Sequence, residues 1–331
     1  MNINWPEECN EYPPLPDRIS SADRIVAIGD VHGDWDFTIH ILQNIAKVIK
    51  IKETENSCKI SWVAEPKNTI VVQLGDQIDS CRSDACRMQK QQNDKAEDVK
   101  ILKFFTYLHK LARREGGAVY SLLGNHETMN VQGNTAFVSY ENMHAFDGNP
   151  NNRIKVFRPG GEMAKFMACT RQSALIIGSW LFMHAGLTKQ LAEKYSITEL
   201  NDVVRRWMLN LLTPENINEI LSSEREGDSP FWNRLFGDVI DNIKKNNGDY
   251  TNKCKELLDG LETWDVSNLV VGHNIQKLQP DNNFINSVCS RKIWRIDTGA
   301  SRSFQEHAQT NEGRRPQIIE IIDDKHVNIL G

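Results

Sequence analysis

Short apolar runs recur along the chain, and each is followed within two residues by Asp, His or Asn, usually beside a glycine. The runs are residues 24–28, 69–74, 118–123, 180–182 and 269–271, and the segments that follow them are Gly29-Asp30-Val31-His32-Gly33, Gly75-Asp76-Gln77-Ile78-Asp79, Gly124-Asn125-His126-Glu127, Met183-His184-Ala185-Gly186 and Gly272-His273-Asn274. Uninterrupted apolar runs of this length are typical of buried strands. Because ligands in open α/β sheets gather beyond the carboxyl ends of the strands, we expect several of these polar side chains to lie together along one edge of a sheet.

Apolar residues at helical spacing lie between several of these strands. Phe37, Ile41 and Ile45 predict a first helix over residues 36–51, and the apolar positions of residues 89–114 predict a second amphipathic helix. By the same rules we expect helices over residues 162–170, 188–212, 214–221 and 252–261, strands over 57–63, 293–296 and 317–322, and a polar loop over 141–152. Strand–helix–strand units of this kind predict a layered α/β protein.

Composition and the spread of the polar segments favour one large domain. The chain has 331 residues, of which 40% are hydrophobic and 25% charged, an ordinary globular composition. Residues 1–22 contain four prolines and are predicted to form an irregular arm, because proline disrupts a helix interior. Since the polar segments run from Asp30 to His273, residues 23–331 are predicted to form a single catalytic domain.

Charge and hydropathy argue against two classes of partner. The net charge of −5 gives no basic surface of the kind that nucleic acids require, so no nucleic-acid partner is expected. No run approaches about 20 consecutive apolar residues, and Asn2 stands where N-myristoylation requires glycine, so neither a membrane span nor this lipid anchor is expected. No pattern in the sequence predicts an oligomeric state.

The seven cysteines are an odd number in a chain of this size. This count, together with an N-terminal segment that lacks an apolar signal region, favours reduced thiols and a cytoplasmic location. Cys81 and Cys86 are close in sequence, but no second pair completes a zinc-binding pattern. We expect them to be loop thiols, with redox modulation as an alternative.

The polar segments supply two carboxylates, three imidazoles and one amide as candidate metal ligands: Asp30, His32, Asp76, Asn125, His184 and His273. Taken singly, such residues are typical of ordinary packing or turns, so the interpretation depends on the joint pattern. Mixed oxygen and nitrogen ligands suit ions such as Mn, Fe, Zn or Co. Six ligands suit two ions if one carboxylate bridges them, and paired ions are the clamp that enzymes use to hydrolyse phosphate esters.

Together these segments resemble the calcineurin-like metallophosphoesterase superfamily, and more narrowly its phosphoprotein phosphatases. The stretches most similar to the Shewanella-like branch of those phosphatases are residues 123–130, 158–162, 229–234, 270–276 and 295–301. The resemblance extends from about Arg24 to about Ser303. It implies a four-layer α/β/β/α sandwich with a dimetal site at the carboxyl ends of the strands.

The resemblance also implies roles for individual residues. The first metal ion would be held by Asp30, His32 and a bridging Asp76, and the second by Asp76, Asn125, His184 and His273. His126 would be the general acid that protonates the leaving oxygen, and Asp79 would orient it. Arg234, with Asn125, would bind the substrate phosphate, because a guanidinium binds phosphate bidentately. The alternative for Arg234 is a surface salt bridge.

One departure from the family pattern affects phosphate binding. After the position of Asp79 the family usually carries Arg-Gly, and that arginine contacts phosphate, whereas this chain has Ser80-Cys81. The nearest arginines are Arg82 and Arg87. We expect one of them to reach the site from a displaced loop, or the site to work with one phosphate contact fewer, at a cost of about 1.5–3 kcal/mol in phosphate binding.

The leading hypothesis is a phosphatase that uses two ions of Mn, Fe or Zn to hydrolyse phosphomonoesters, most readily on phosphorylated Ser, Thr or Tyr of proteins. A second enzymatic hypothesis is hydrolysis of the phosphoanhydride of a dinucleoside polyphosphate or an RNA cap. A third is a binding scaffold that has kept the fold and lost turnover, for which Ser80 is the only support. The sequence does not separate a protein substrate from a small phosphate ester.

Overall fold

The fold is formed by two large sheets and the helices around them, in a computed structural model that describes residues 5–54, 57–92, 94–305 and 313–331. The strands of these residues are β1 (Arg18–Ile19), β2 (Arg24–Ile28), β3 (Ile49–Thr54), β4 (Ser57–Trp62), β5 (Ile70–Gln73), β6 (Ala118–Leu122), β7 (Arg171–Gln172), β8 (Ala174–Ile177), β9 (Trp180–Met183), β10 (Asn268–Val271), β11 (Asn286–Val288), β12 (Ile293–Arg295), β13 (Ile318–Ile322) and β14 (His326–Leu330). The α-helices are α1 (Trp35–His40), α2 (Asp84–Met88), α3 (Asp98–Arg114), α4 (Asn125–Val131), α5 (Tyr140–Met143), α6 (Pro150–Phe157), α7 (Glu162–Thr170), α8 (Lys189–Lys194), α9 (Ile197–Met208), α10 (Asn218–Leu221), α11 (Ile240–Lys245), α12 (Tyr250–Thr263) and α13 (Arg302–Gln305). Shorter turns are 3-10 helical at Glu7–Cys9 and Pro214–Ile217 and π-helical at Ile41–Ile45 and Leu235–Val239.

All the strands predicted to precede the polar segments are present, as β2, β5, β6, β9 and β10. Apart from the first residue of β10, every residue in them is buried. Burial on both faces explains why these strands are continuous apolar runs instead of alternating patterns.

The strands belong to two six-stranded sheets. The first sheet has the order β14-β13-β2-β5-β6-β7, and the second has the order β1-β8-β9-β10-β12-β11. Neighbours β2, β5 and β6 are parallel, and so are β9 and β10. The segments after β2, β5 and β6 lie along one edge of the first sheet, as predicted for several of the ligands, and those after β9 and β10 lie along an edge of the second sheet. The chain leaves the first sheet after β7 and enters the second at β8, so the later segments approach from a second edge.

Three apolar cores separate four layers. Residues of both sheets, such as Val72 and Phe182, form the core between the sheets. The opposite face of the first sheet packs against α1 and α3 through residues such as Val71 and Leu108. The opposite face of the second sheet packs against α7, α9 and α12, where Trp207 is fully buried. The predicted four-layer α/β/β/α arrangement is confirmed.

The first two predicted helices are shorter in the structure. The segment predicted as helix over 36–51 is helical only to Ile45, and it continues as β3, which pairs with β4. Lys47 lies between the helix and the strand with a φ of +56°, a conformation that a helix cannot contain. In the segment 89–114 the long helix begins only at Asp98.

Helix capping explains two further differences. The segment 188–212 forms two helices, because Ser196 caps the second one and accepts a hydrogen bond from the backbone of Glu199. The segment 141–152, predicted as a loop, overlaps α5 and α6, and α6 begins with Asn149 as the cap and proline in the first turn. None of the helices in the described ranges combines the length and apolar character that crossing a membrane requires.

The described part of the predicted irregular arm, residues 5–22, is attached to the second sheet. Its strand β1 runs parallel to β8 at the edge of that sheet. A disulfide joins Cys9 to Cys169 at the end of α7. The division of the chain into an arm and one catalytic domain stays a prediction, although the arm contributes a strand and not only irregular structure.

The prediction of reduced thiols is wrong for the cysteines whose side chains the structure describes. Disulfides link Cys9 to Cys169, Cys81 to Cys86 and Cys254 to Cys289, with Cα–Cα distances of 5.2, 5.7 and 5.3 Å. These distances are ordinary for disulfides. The odd number of cysteines does not prevent the others from forming pairs. The cytoplasmic location stays a prediction and loses this support.

Two glycines allow the turns that carry Asp76 and Asn125 to touch. Gly75 has a φ of +91°, which glycine adopts without a steric penalty, and it faces the backbone of Gly124. A Cβ atom on Gly124 would overlap the carboxylate of Asp76. The close approach of β5 and β6 at this point therefore requires glycine.

We predict that Gly124→Ala lowers the free energy of unfolding by about 1–3 kcal/mol and weakens metal binding, because the added methyl group displaces Asp76. Chemical denaturation and a metal titration measure the two effects. Gly227→Ala is the control, because its methyl group would meet only Glu224, at 3.0 Å or more. Equal stability and equal metal affinity in the two variants would contradict the prediction.

Candidate metal and phosphate site

A cavity of about 380 Å³ opens where the carboxyl ends of the two sheets meet. It is lined by Asp30, His32, Asp76, Arg82, Asn125, His126, Phe137, Trp232, Arg234, Asp238, His273, Ile275, Asp297 and Phe304. The remaining candidate ligand, His184, is fully buried beside them. The structure thus brings all the candidate metal ligands together, although they come from opposite ends of the chain.

The Asp76 carboxylate is shared by two groups of side chains that could each hold a cation. One group consists of His32, Asp76 and His126, the other consists of Asp76, His184 and His273, and in each the potential ligand atoms lie within 4.8 Å of one another. Next to the first group, Asp30 Oδ2 lies 3.9 Å from His32 Nε2. An arrangement of two ion sites bridged by one carboxylate fits these positions.

His184 is oriented by a hydrogen bond on the side away from the cavity. Its Nδ1 lies 2.8 Å from the carbonyl oxygen of Leu74, and the backbone oxygen can only accept. A proton therefore stays on Nδ1, and Nε2 lies 3.4 Å from Asp76 Oδ2 and 2.9 Å from Asn125 Oδ1, so that all three atoms could bind one ion. This is the arrangement that prepares a histidine for metal binding.

Four site residues that are not glycine have left-handed backbone conformations. The φ angles are +43° at His32, +50° at Asp76, +70° at Asp79 and +62° at His273. Such conformations cost roughly 1–2 kcal/mol each for residues with a Cβ atom. His32, Asp76 and His273 lie in the turns that follow β2, β5 and β10, and Asp79 lies further along the loop after β5.

Buried charge at the site favours a cation. Burial raises the pKa of Asp30 well above its usual value, and the nearby carboxylates of Asp297 and Asp76 raise it further. Burial likewise raises the pKa of Asp297 to about 6. For Asp76, burial also acts upwards, but His184, His126 and His32 outweigh it and hold the pKa well below its usual value. Carboxylates crowded together in a dry site are stabilised by bound positive charge, so the residues fit metal ions of the predicted kind.

His126 and Asp79 form a hydrogen-bonded pair at the edge of the first group. Asp79 Oδ2 lies 2.9 Å from His126 Nδ1, and His126 Nε2 faces the cavity 3.9 Å from Asp76 Oδ2. The carboxylate fixes the proton on Nδ1 and leaves Nε2 to act on whatever occupies the cavity.

Asp79 is held in turn by two side chains that were not predicted from the sequence. Asn130 Nδ2 donates to both carboxylate oxygens, at 3.0 and 2.9 Å. Arg153, with a fully buried side chain, lies 3.5 Å from Asp79 and 2.9 Å from Asp98 and also donates to Asn130 Oδ1. The partners are 55 and 74 residues from Arg153 in sequence, so no local pattern indicates the contact. Asn130 had a local signal, because it lies four residues after His126 on α4.

Glu127 joins the turns of the first sheet. Its carboxylate accepts hydrogen bonds from the backbone nitrogens of Gly124, Asp76 and Gln77, at 2.7, 2.9 and 2.8 Å. Glu127 is the third residue of α4 and makes the glutamate half of a capping box, whereas Gly124 at the N-cap has no side chain to make the other half. Asp297 was also not predicted. It lies just after β12, in the same way that the predicted ligands lie just after their strands.

The three arginines considered for phosphate binding lie in different environments. Arg234 lines the cavity, and its Nη1 donates to the backbone oxygen of His273 at 3.2 Å and to Asn274 Oδ1 at 3.0 Å. Arg82 lines the same cavity. Arg87 lies on the exposed helix α2 and pairs with Asp84, so it does not supply the missing contact.

The chain belongs to the calcineurin-like phosphoesterase family, whose family model matches residues 23–275. This match covers the segments from Asp30 to His273 that form the cavity. The class of protein predicted from those segments is confirmed.

Several relatives share most of their length with this chain. An uncharacterised protein of Acanthamoeba polyphaga mimivirus is 38% identical over 69% of this chain and 97% of its own length. Shewanella-like protein phosphatase 2 of Arabidopsis thaliana is 26% identical over 98% of this chain and 81% of its own. Shewanella-like protein phosphatase 1 of Plasmodium berghei is 29% identical over 93% of this chain and 74% of its own.

A solved structure has the same fold. The crystal structure of a cold-active protein-tyrosine phosphatase from a psychrophilic Shewanella species matches with a TM-score of 0.68 and 20% identity, over 99% of this chain and 89% of that one. Together the family and the relatives establish the chain as a hydrolase of the phosphatase class, and the family implies divalent metal ions.

We predict that Arg153→Met lowers the free energy of unfolding by about 3–5 kcal/mol, because two buried carboxylates lose their positive partner. Chemical denaturation measures the effect. Lys155→Met is the control, since Lys155 is exposed on the same helix and its loss should change stability by less than about 0.5 kcal/mol. If the two variants were equally stable, Arg153 would not be the link between Asp79 and Asp98.

Proposed function

We propose that this chain removes phosphate from phosphorylated Ser, Thr or Tyr side chains of proteins, at a site that holds two ions of Mn, Fe or Zn. The proposal depends on the position of the His126–Asp79 pair, which lies beside two groups of potential metal ligands that share Asp76. A proton donor beside a site for paired ions suits an ester whose leaving oxygen needs a proton. The relatives named as protein phosphatases support a protein substrate.

We assign the donor side chains to the two ions as the family resemblance implies, with Asp30 in place of His126 in the group that contains His32. Asp30, His32 and Asp76 would hold the first ion, and Asp76, Asn125, His184 and His273 the second. When bound, such a pair lowers the pKa of water to produce a nucleophile and neutralises negative charge on phosphate oxygens.

His126 supplies the proton to the leaving oxygen. Its Nε2 faces the cavity, and Asp79 holds the ring so that the opposite nitrogen keeps its own proton. A serine or threonine alkoxide leaves poorly without this proton, so the step contributes about 10²- to 10⁴-fold to the rate. Asn130 and Arg153 keep Asp79 in place and thereby orient His126.

Arg234 binds the non-bridging oxygens of the phosphate. Two oxygen acceptors hold its Nη1 at the cavity wall, so the guanidinium is oriented before substrate arrives. Phe137, Trp232 and Phe304 line the same cavity and provide apolar surface for the side chain that carries the phosphate. The cavity thus combines a positively charged side chain for the phosphate with apolar walls for the rest of the substrate.

We predict that the protein loaded with Mn hydrolyses p-nitrophenyl phosphate and phosphopeptides, and that Asp76→Asn abolishes turnover and lowers the number of bound metal ions. A phosphopeptide panel and metal analysis of the same samples measure both. Asp84→Asn, an exposed carboxylate outside the cavity, is the control and should keep full activity. Full activity in Asp76→Asn would refute the mechanism. Turnover of dinucleoside tetraphosphate without turnover of phosphopeptides would refute the substrate.

We predict that His126→Asn keeps the metal content of the protein but lowers kcat for a phosphoserine peptide by about 10²- to 10⁴-fold. Hydrolysis of p-nitrophenyl phosphate should fall less, because its leaving group needs less protonation. His40→Asn on the exposed part of α1 is the control. Loss of a metal ion in His126→Asn would instead make His126 a ligand, and equal losses on both substrates would exclude the role of acid.

A further inference from the structure

The loop that follows Asp79 places a second guanidinium in the cavity. Ser80 occupies the position at which the family carries its arginine, but Arg82, two residues later, lines the cavity together with Arg234. The side chain of Arg82 is half-buried there. A second arginine is thus present at the site without following the family's spacing.

Arg82 is held rigidly on three sides. Its guanidinium carbon lies 4.5 Å from the centre of the Phe304 ring and 5.2 Å from that of Phe137. Its Nη1 donates to the backbone oxygens of Asp79 and Cys81, at 2.9 and 2.7 Å. Aromatic faces attract a cation, and two backbone acceptors fix the plane of the group, so Arg82 is oriented before any ligand binds.

The loop backbone is also anchored. Cys81 is fully buried, its backbone nitrogen donates to the oxygen of Phe137 at 3.1 Å, and its sulfur is joined to Cys86. Ser83, next to Arg82, caps α2 by accepting a hydrogen bond from the nitrogen of Cys86. The position of Arg82 is therefore determined by an anchored loop and is not that of a freely moving surface side chain.

The free end of Arg82 contacts a candidate metal ligand. Nη2 lies 2.9 Å from His32 Nδ1, and the same Nδ1 lies 3.3 Å from the backbone oxygen of Ile78. One nitrogen cannot serve both partners at once. It accepts from Arg82 only when the proton is on Nε2, and it donates to Ile78 only when Nε2 carries the lone pair. Since Nε2 is the atom that faces Asp30 and Asp76, metal binding by His32 requires the second state.

We propose that Arg82 is the second phosphate-binding arginine of this chain, and that the same side chain opposes metal binding at the group that contains His32. The proposal rests on the proposed function and adds a specific residue and a coupling to it. When His32 donates to Ile78, Arg82 Nη2 loses its acceptor and takes a phosphate oxygen in its place. Arg82 therefore exchanges one partner for another between the empty and the substrate-bound site.

Arg82→Ala should change the two affinities in opposite directions. Affinity for inorganic phosphate, measured by calorimetry on the metal-loaded protein, should fall by about 10- to 100-fold, as expected for a lost charge-assisted hydrogen bond. Affinity for Mn in the absence of phosphate should rise by about threefold or more, because a positive charge beside His32 is removed. Arg87→Ala, which changes the exposed arginine of the adjacent helix α2, is the matched control and should change neither.

An unchanged phosphate affinity in Arg82→Ala, or a weaker affinity for Mn, would overturn the proposal, because a purely structural role would weaken both. If Arg82→Ala does not fold, Arg82→Gln is measured in the same way, since it keeps the side-chain stem and removes the charge. These binding measurements do not require turnover. A wild-type protein that binds metal and phosphate but hydrolyses no phosphopeptide would therefore refute the proposed function while leaving the test of Arg82 intact.

Discussion

The burial of several carboxylates and imidazoles around Asp76 is the constraint on which the site depends. A lone buried carboxylate would take up a proton, but three surrounding histidines keep Asp76 charged. Asp30 and Asp297, which lack that compensation, are pushed towards the neutral form. Bound cations would therefore stabilise the charged form of these carboxylates. Hydrogen bonds to the Glu127 carboxylate help to hold the group together. The left-handed turns at the strand ends are part of its energetic cost.

The site exists only where two separate sheets meet. The first sheet supplies Asp30, Asp76 and Asn125, and the second supplies His184 and His273. Neither sheet has a complete set of ligands, so the packing of Val72 against Phe182 and their neighbours in the central core is also what assembles the chemistry. This explains why polar segments spread over most of the chain belong to one cavity, and why damage to the central core should impair metal binding at a distance.

Much of the fold could be predicted because the buried strands are continuous apolar runs, and the residues that follow such strands are confined to one region. What the local pattern could not show is which strand pairs with which, so only the family resemblance, and not the apolar runs themselves, predicted two sheets. The contacts of Arg153 were invisible for the same reason, since its partners are distant in sequence and helix α6 begins in a polar stretch. The disulfides of Cys9 with Cys169 and of Cys254 with Cys289 also depend on long-range proximity. Arg82 was a candidate from sequence, but only the loop geometry separates it from Arg87.

The pairing of β13 with β2 has a consequence for how the protein is made. Strand β2 precedes Asp30, and its two neighbours are β5, from early in the chain, and β13, which spans Ile318–Ile322. While the ribosome is still adding residues before 318, β2 remains an open edge with unpaired backbone groups. Any sheet that forms before residue 318 has been synthesised therefore ends at β2, with an edge of the kind that can pair with other chains.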